Sequence, residues 1–194
     1  MRNSDPSGDD APVAAHSADA TPGKTSLIGV SIRMREVEAG DAPFILLLRL
    51  DPRLSEFVSL TDPDLSAQVE WIARYKTRPL EYYWIIESRA GVPLGTVRVY
   101  DVQPDRFAWG SWIIRPNSPV RAGIESALLV YDFAFNFPGM RKSEFEVRKR
   151  NVKVVSFHQR FGAQLIGEDS ELVRFRITKS AYESIRPRYA RFAP

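Results

Sequence analysis

RFAWGSWIIRPNSPVRAGIESALLVYDFAFN, residues 106–136, falls into two halves with different periods. Arg106 to Ile114 is rich in aromatic and β-branched residues and reads as a strand, with Gly110 marking a bulge that splays it. Pro116 and Pro119 interrupt it. From Arg121 to Asn136 the apolar residues Ile124, Leu128, Tyr131 and Phe135 recur on one helical stripe, which Pro138-Gly139 terminates. The unit is a strand, a proline-broken loop and a helix.

Upstream, Ser31 to Val37 alternates apolar and charged residues and suits a half-buried strand. Asp41 caps a short helix with Pro43 in its first turn and Phe44, Ile45, Leu47 and Leu48 as its apolar face; Asp51-Pro52 ends it. A loop from Arg53 to Pro63 leads to Asp64, the cap of a second helix carrying Leu65, Val69, Ile72 and Tyr75. Tyr82 to Ser88, Leu94 to Tyr100 and Arg106 to Ile114 are joined by short turns and form an antiparallel meander. Downstream, Lys142 to Val147 reads as a strand, and Asn151 caps a helix ending at Phe161-Gly162. Two last strands follow, Ala163 to Glu168 and Leu172 to Ile177. The order β-α-α-β-β-β-α-β-α-β-β is that of an α+β sheet with helices on its faces.

The chain has 194 residues, 44 % hydrophobic and 26 % charged, with a formal net charge of +3. Residues 1–28 hold no aromatic residue and are rich in Ser, Asp, Ala, Gly and Pro, so a disordered leader is expected there and a single domain over 29–194. The leader lacks the apolar core of a secretory signal, and no stretch approaches the roughly 20 apolar residues of a membrane span, so a cytoplasmic protein is expected. No cysteine is present, which excludes thiolate nucleophiles, disulfides and thiolate metal sites. With His16 and His158 the only histidines, and His16 in the leader, no multi-histidine metal site exists and no metal is expected.

Two stretches resemble the GNAT superfamily of N-acetyltransferases, as does the element order over residues 31–177. Asn151-Val-Lys-Val-Val-Ser-Phe-His-Gln-Arg-Phe-Gly162 is similar to the family's late motif, in which Asn opens a helix and Gly closes it; His158 stands where the family has Tyr. Asn151 and His158 are two helical turns apart and share a side. Trp109 to Leu129 resembles the strand, loop and helix that hold coenzyme A, although Val120 and Glu125 depart from the family's Arg/Gln-x-x-Gly-x-Gly/Ala loop, in which Gly123 alone matches.

The resemblance implies an acyl-CoA N-acyltransferase-like fold, a mixed, mostly antiparallel sheet of about seven strands with helices on both faces. It implies transfer of an acetyl group from acetyl-CoA to a primary amine. Trp109-Gly-Ser-Trp112 and Ile124 to Leu129 look most like acetyltransferases that modify amino sugars, carried on nucleotides, for bacterial surface polysaccharides. The general shape also resembles the branch that acetylates ribosomal protein N-termini, so a peptide amine is the alternative acceptor. A homodimer is compatible with either.

The donor site implied by the resemblance comprises Trp112, Ile113 and Ile114 on the strand, Val120, Arg121, Ala122, Gly123, Ile124 and Glu125 at the helix start, and Asn151 and Ser156. Arg121 offers a charge and the helix N-terminus its N–H groups to phosphate. His158 is the candidate general acid, through a neutral imidazole N–H; the competing reading is a core histidine satisfied by a carbonyl. Glu87 is the candidate base, acting through water, against the ordinary role of a strand carboxylate as a surface charge. Tyr83, Trp109 and Ser111 are candidates to contact the acceptor, and the Arg53, Lys76 and Arg78 region to meet an acidic nucleotide sugar.

Two readings come from other classes. Arg148-Lys149-Arg150, Lys153 and the tail Arg186, Arg188 and Arg191 interleaved with Tyr189 and Phe192 suggest a nucleic-acid binder, but no recognised nucleic-acid motif accompanies them, so nucleic acid is not the expected partner. The altered loop from Val120 to Glu125 suggests a non-catalytic module that has lost its donor site. Serine-hydrolase chemistry lacks a G-x-S-x-G elbow.

Overall fold

The computed structural model describes residues 26–193. Eight strands form one sheet: β1 (Leu27–Ile28), β2 (Ile32–Glu36), β3 (Tyr82–Ser88), β4 (Pro93–Tyr100), β5 (Arg106–Ile114), β6 (Lys142–Arg148), β7 (Gln164–Glu168) and β8 (Leu172–Thr178). Their order is β1-β2-β3-β4-β5-β6-β8-β7. Every pairing is antiparallel except β5 with β6. The strand beyond the expected seven is β1, whose Leu27 and Ile28 pair with Met34 and Arg33. The expected leader therefore ends before Leu27; its remainder, His16 included, lies outside the described residues apart from Ser26.

Six helices pack on the sheet: α1 (Ala42–Leu50), α2 (Pro52–Ser55), α3 (Leu65–Tyr75), α4 (Val120–Ala134), α5 (Val152–Arg160) and α6 (Lys179–Ile185). β3 shows how its faces divide. Trp84 and Ile86 enter the larger core with α4, α5 and α6, whereas Tyr83 and Ile85 face α1 and α3 in the smaller one. Both faces of this strand are buried, so its sequence runs apolar with little alternation.

Caps fix the helices that frame the site. Asp64 accepts from the N–H groups of Ser66 and Ala67 at 2.6 and 3.2 Å, and Asn151 from that of Val154 at 3.3 Å. Asp41 does not cap α1. Its carboxylate instead receives Arg35 through both guanidinium arms at 2.7 and 2.6 Å, and the Glu38 N–H at 2.8 Å. A 3-10 turn at Ala39–Asp41 precedes α1, in which Ile45 and Leu48 of the expected apolar face are buried, while Leu46 is buried in place of the exposed Leu47. α2 occupies the start of the segment read as a loop. The 3-10 turn Arg186–Phe192 occupies the segment read as a basic tail, and α6 precedes it.

Candidate active site

Two irregularities in β5 create the site. In its pairing with β4, Thr96 faces Ile113 and Arg98 faces Gly110, leaving Ser111 and Trp112 together opposite Val97. This is the expected bulge, displaced one residue from Gly110. Ser111 takes a left-handed φ of 47°, a region that costs a residue with a Cβ roughly 1–2 kcal/mol. Thr96 Oγ1 donates a 2.9 Å hydrogen bond to the Ser111 carbonyl. At Gly110 itself a Cβ would sit 3.2 Å from the Tyr100 hydroxyl, a tight contact that the Tyr100 side chain would have to yield to.

On its other side β5 pairs with β6 only at Arg106 with Lys142 and Phe107 with Ser143. Beyond these pairs the two parallel strands part and leave a cleft of about 780 Å³ between them. Strand edges that diverge carry backbone N–H and C=O groups free to bind a ligand. His158, in the last turn of α5, lies at the base of this cleft and is 4 % exposed. Its ring sits among Phe145, Trp109, Phe157 and Trp112, with centroid distances of 4.3, 5.4, 5.4 and 6.3 Å. Nδ1 is buried and has no hydrogen-bond partner among the described residues. Loss of hydration pushes the imidazole pKa down from 6.5 to about 3, so the ring is neutral across the physiological range. The structure shows no carbonyl partner for Nδ1 among the described residues.

A second hollow of about 330 Å³ opens on the α1 and α3 side of the sheet. Tyr83 and Ser111 line it, joined by Arg49, Trp71, Arg74 and Arg98. Ser111 and Arg49 border this recess and the cleft alike. Of the three candidate acceptor contacts, Tyr83 and Ser111 are thus brought together, whereas Trp109 packs on the cleft side with His158 and Tyr131.

Glu87, the candidate base, stands apart from both hollows. It shares the face of β3 with Tyr83 and Ile85, on the opposite side of the sheet from His158. Both its oxygens are taken, by Arg33 Nε at 2.8 Å and Arg35 Nε at 2.7 Å. It neutralises two arginines on the neighbouring strand.

The residues that the resemblance assigned to the donor divide likewise. Trp112 and Asn151 border the cleft, and Trp112 Nε1 donates to Ser126 Oγ at 3.1 Å, tying the bulge to α4. Ile113 and Ile114 pair with Thr96 and Gly95. Val120 is exposed at the start of α4, Arg121 lies over the Phe192 ring at 5.7 Å, and Gly123 stands against the Trp112 ring. Ala122 is fully buried, Ile124 half-buried against the larger core, and Ser156 on α5 lies outside the cleft lining. Glu125 is not a loop residue facing a phosphate. It is completely buried, and its carboxylate receives the Ser31 N–H at 2.7 Å and the Ser31 hydroxyl at 2.5 Å. The departure at Glu125 serves to anchor the start of β2 and leaves the N-terminal turn of α4 clear of its charge.

The basic stretches are largely neutralised. Arg148, Lys149 and Arg150 pair with Glu171, Glu168 and Glu56. Arg186 makes bidentate contacts of 2.8 and 2.9 Å with Asp132, and Tyr189 stacks on Phe161. Arg53 pairs with Asp51 and Arg78 with Glu81 outside the recess lining, to which Lys76 does not contribute either. Arg49, Arg74 and Arg98 stand there instead. Arg98 had a visible signal, a charge between two buried valines on a central strand; Arg49, on a helix of leucines, had none.

The sequence matches the family model described as an acetyltransferase (GNAT) domain over residues 31–164. Among solved structures, apo FdhC, a nucleotide-linked sugar GNAT, superposes with a TM-score of 0.80 at 42 % identity, covering 89 % of this chain and 100 % of its own. A GCN5-related N-acetyltransferase from Brucella melitensis (TM-score 0.72, 18 % identity, 87 % and 85 % covered) shares the fold. So does the spermidine N-acetyltransferase of Vibrio cholerae in complex with CoA and spermine (0.67, 20 %, 79 % and 98 %). No curated protein matches the sequence. No helix among the described residues is long and apolar enough to cross a membrane. A sheet that splits beside a bulged strand, over a match spanning most of the chain, is decisive: the chain belongs to the GNAT family of acetyltransferases.

Proposed function

We propose that the protein transfers the acetyl group of acetyl-CoA to the primary amine of a nucleotide-linked amino sugar. The observation that carries this reading is that Ser111 borders both hollows, so that a donor in the β5–β6 cleft and an amine in the recess meet at the strand bulge. The similarity to a nucleotide-linked sugar GNAT supports the acceptor class.

Bound acetyl-CoA supplies an activated thioester. The residues present fit it. The first turn of α4 offers backbone N–H groups without intrahelical partners, and Arg121 beside them, to its phosphates. The diverging edges of β5 and β6 hold its extended arm, and a backbone N–H of the bulge polarises the acetyl carbonyl. Holding the amine against that carbonyl supplies much of the rate and needs no enzyme nucleophile, in keeping with a chain that has no cysteine. The new N–C bond forms as the C–S bond breaks, and the proton given up by the amine ends on the sulfur. His158 acts there as a neutral N–H donor, stabilising charge gathering on the sulfur in a dry aromatic pocket. The steps as drawn need one chain, and a cytoplasmic location is part of this reading.

The test is thiol release from acetyl-CoA with nucleotide-linked amino sugars, set beside peptides with free N-termini. Turnover on the sugars with little on peptides is expected. Preference for peptides would replace this acceptor by the other branch, and donor binding with no turnover on any amine would make the protein a binding module.

A further inference from the structure

The recess has an unbalanced charge. Three arginines, Arg49, Arg74 and Arg98, border it against one carboxylate among the described residues, Asp62. Arg49 is the informative one. Its Nε donates to Thr61 Oγ1 at 2.6 Å, and one terminal nitrogen donates to Ser59 Oγ at 2.8 Å and to the Ser59 carbonyl at 3.1 Å. All of these acceptors are neutral. No carboxylate among the described residues lies within ion-pair distance of it. A guanidinium fixed by hydroxyls and a carbonyl keeps its full charge while giving up its conformational freedom in advance, which is how an arginine is prepared for a phosphate rather than for a protein carboxylate.

The other two flank it. Arg98 is packed between the rings of Trp71 and Tyr100, 5.2 Å from each, and is only 17 % exposed. One of its arms is held by Glu81, and its Nε is buried without a partner among the described residues. Arg74 reaches the rim, where its sole ion pair is an exposed contact of 3.5 Å with Glu70 on the same helix, of a kind that holds a side chain weakly. Gln68, buried on α3, adds an amide to the same wall, and Trp71 a ring face.

We propose that Arg49, with Arg74 and Arg98, is the diphosphate clamp of the acceptor site, so that the enzyme acts on the amino sugar while it is linked to a nucleoside diphosphate and discriminates against the free amino sugar. This rests on the acceptor class proposed above and adds the residues that enforce it. The diphosphate carries a negative charge on each phosphate and meets the arginines on the α1 and α3 wall. The sugar then points its amine at Ser111, where the recess joins the donor cleft. Arg49, bordering both hollows, ties recognition of the acceptor to the place of reaction.

The test compares kcat/KM for a nucleoside diphosphate-linked amino sugar, its 1-phosphate and the free amino sugar, in the wild type, Arg49→Gln and Arg74→Gln. The wild type is expected to prefer the linked sugar by about 100-fold or more. Arg49→Gln should lower kcat/KM for it by about 10- to 100-fold, chiefly through KM, a loss at least about tenfold greater than on the free sugar. Arg74→Gln should show the same pattern, more weakly. The matching nucleoside diphosphate should compete with the acceptor and not with acetyl-CoA in the wild type, and should raise the melting temperature of the wild type and not that of Arg49→Gln, a readout that requires only a folded protein. Equal use of free and linked sugars, or an equal loss on both in Arg49→Gln, would overturn the clamp while leaving the acetyltransferase reading intact. Acetylation of acidic peptides in place of every amino sugar would overturn both.

Discussion

The hydroxyl of Thr96 on β4 donates to the carbonyl of Ser111 on β5 across 2.9 Å, and so pins the one residue of β5 that adopts a left-handed backbone. Through this bond a buried side chain holds the bulge at which donor cleft and acceptor recess meet. Thr96→Val keeps the shape and removes the donor. It should cost about 1 kcal/mol of stability and lower kcat by about tenfold through loosening of the bulge, and Thr96→Ser should restore both. Steady-state kinetics beside denaturant melts of the three proteins check this.

His158→Phe should keep the rise in melting temperature caused by acetyl-CoA while thiol release falls by about 100-fold or more. A ligand present at 100 times its Kd stabilises by about 2.7 kcal/mol, so retention of binding is easily seen.

His158 also makes stability depend on pH. Its folded pKa of about 3 lies below the ordinary 6.5, so below pH 6.5 the unfolded chain takes up a proton that the folded chain refuses. Stability is unaffected by this group above 6.5 and falls by up to about 1.4 kcal/mol per pH unit as the pH drops toward 3. Urea melts at pH 5 and pH 7 should show a smaller difference in His158→Phe than in the wild type. The rate profile between pH 5 and 9 should carry no ionisation of His158.

Glu87→Gln tests a residue whose sequence position suggested chemistry and whose structure shows none. Its side chain is buried, while Arg33 and Arg35 are partly open to solvent. Losing the two ion pairs should cost about 1–3 kcal/mol and leave kcat unchanged at a temperature where the variant is folded.

Asp132 holds the C-terminal segment to α4 through Arg186 and the Tyr182 hydroxyl, the latter at 2.7 Å. Asp132→Ala should destabilise by about 1–3 kcal/mol and speed proteolysis within residues 186–192, read by limited digestion and mass spectrometry.

Long elements with a clear period were legible in the sequence. β3 to β5 and α4 follow the expected boundaries closely because an apolar, aromatic or β-branched run bounded by turn residues, or a helical stripe, marks each of them. Short elements were not: β1, α2 and the seven-residue α6 have too few residues to show a period. Gly110 drew attention to the right part of β5, but the strain sits on Ser111, where no local feature announces a positive φ. His158 was found because it stands where the resembling family has Tyr, and its aromatic surroundings follow from strands far away in sequence. Glu87 misled because a strand carboxylate gives no sign of its partners, and these lie on β2. Arg49 was missed because only the tertiary fold carries the surface of α1 to the edge of the site.

The most direct measurement is thiol release from acetyl-CoA with a nucleoside diphosphate-linked amino sugar, run on the wild type and on His158→Phe, with coenzyme A binding followed by thermal unfolding of both. The account requires acetylated sugar from the wild type, and unchanged coenzyme A binding with release reduced at least about 100-fold in the variant. Undiminished turnover in His158→Phe would contradict the role given to the imidazole. Binding of coenzyme A with no acetylation of any amine by the wild type would contradict the account itself.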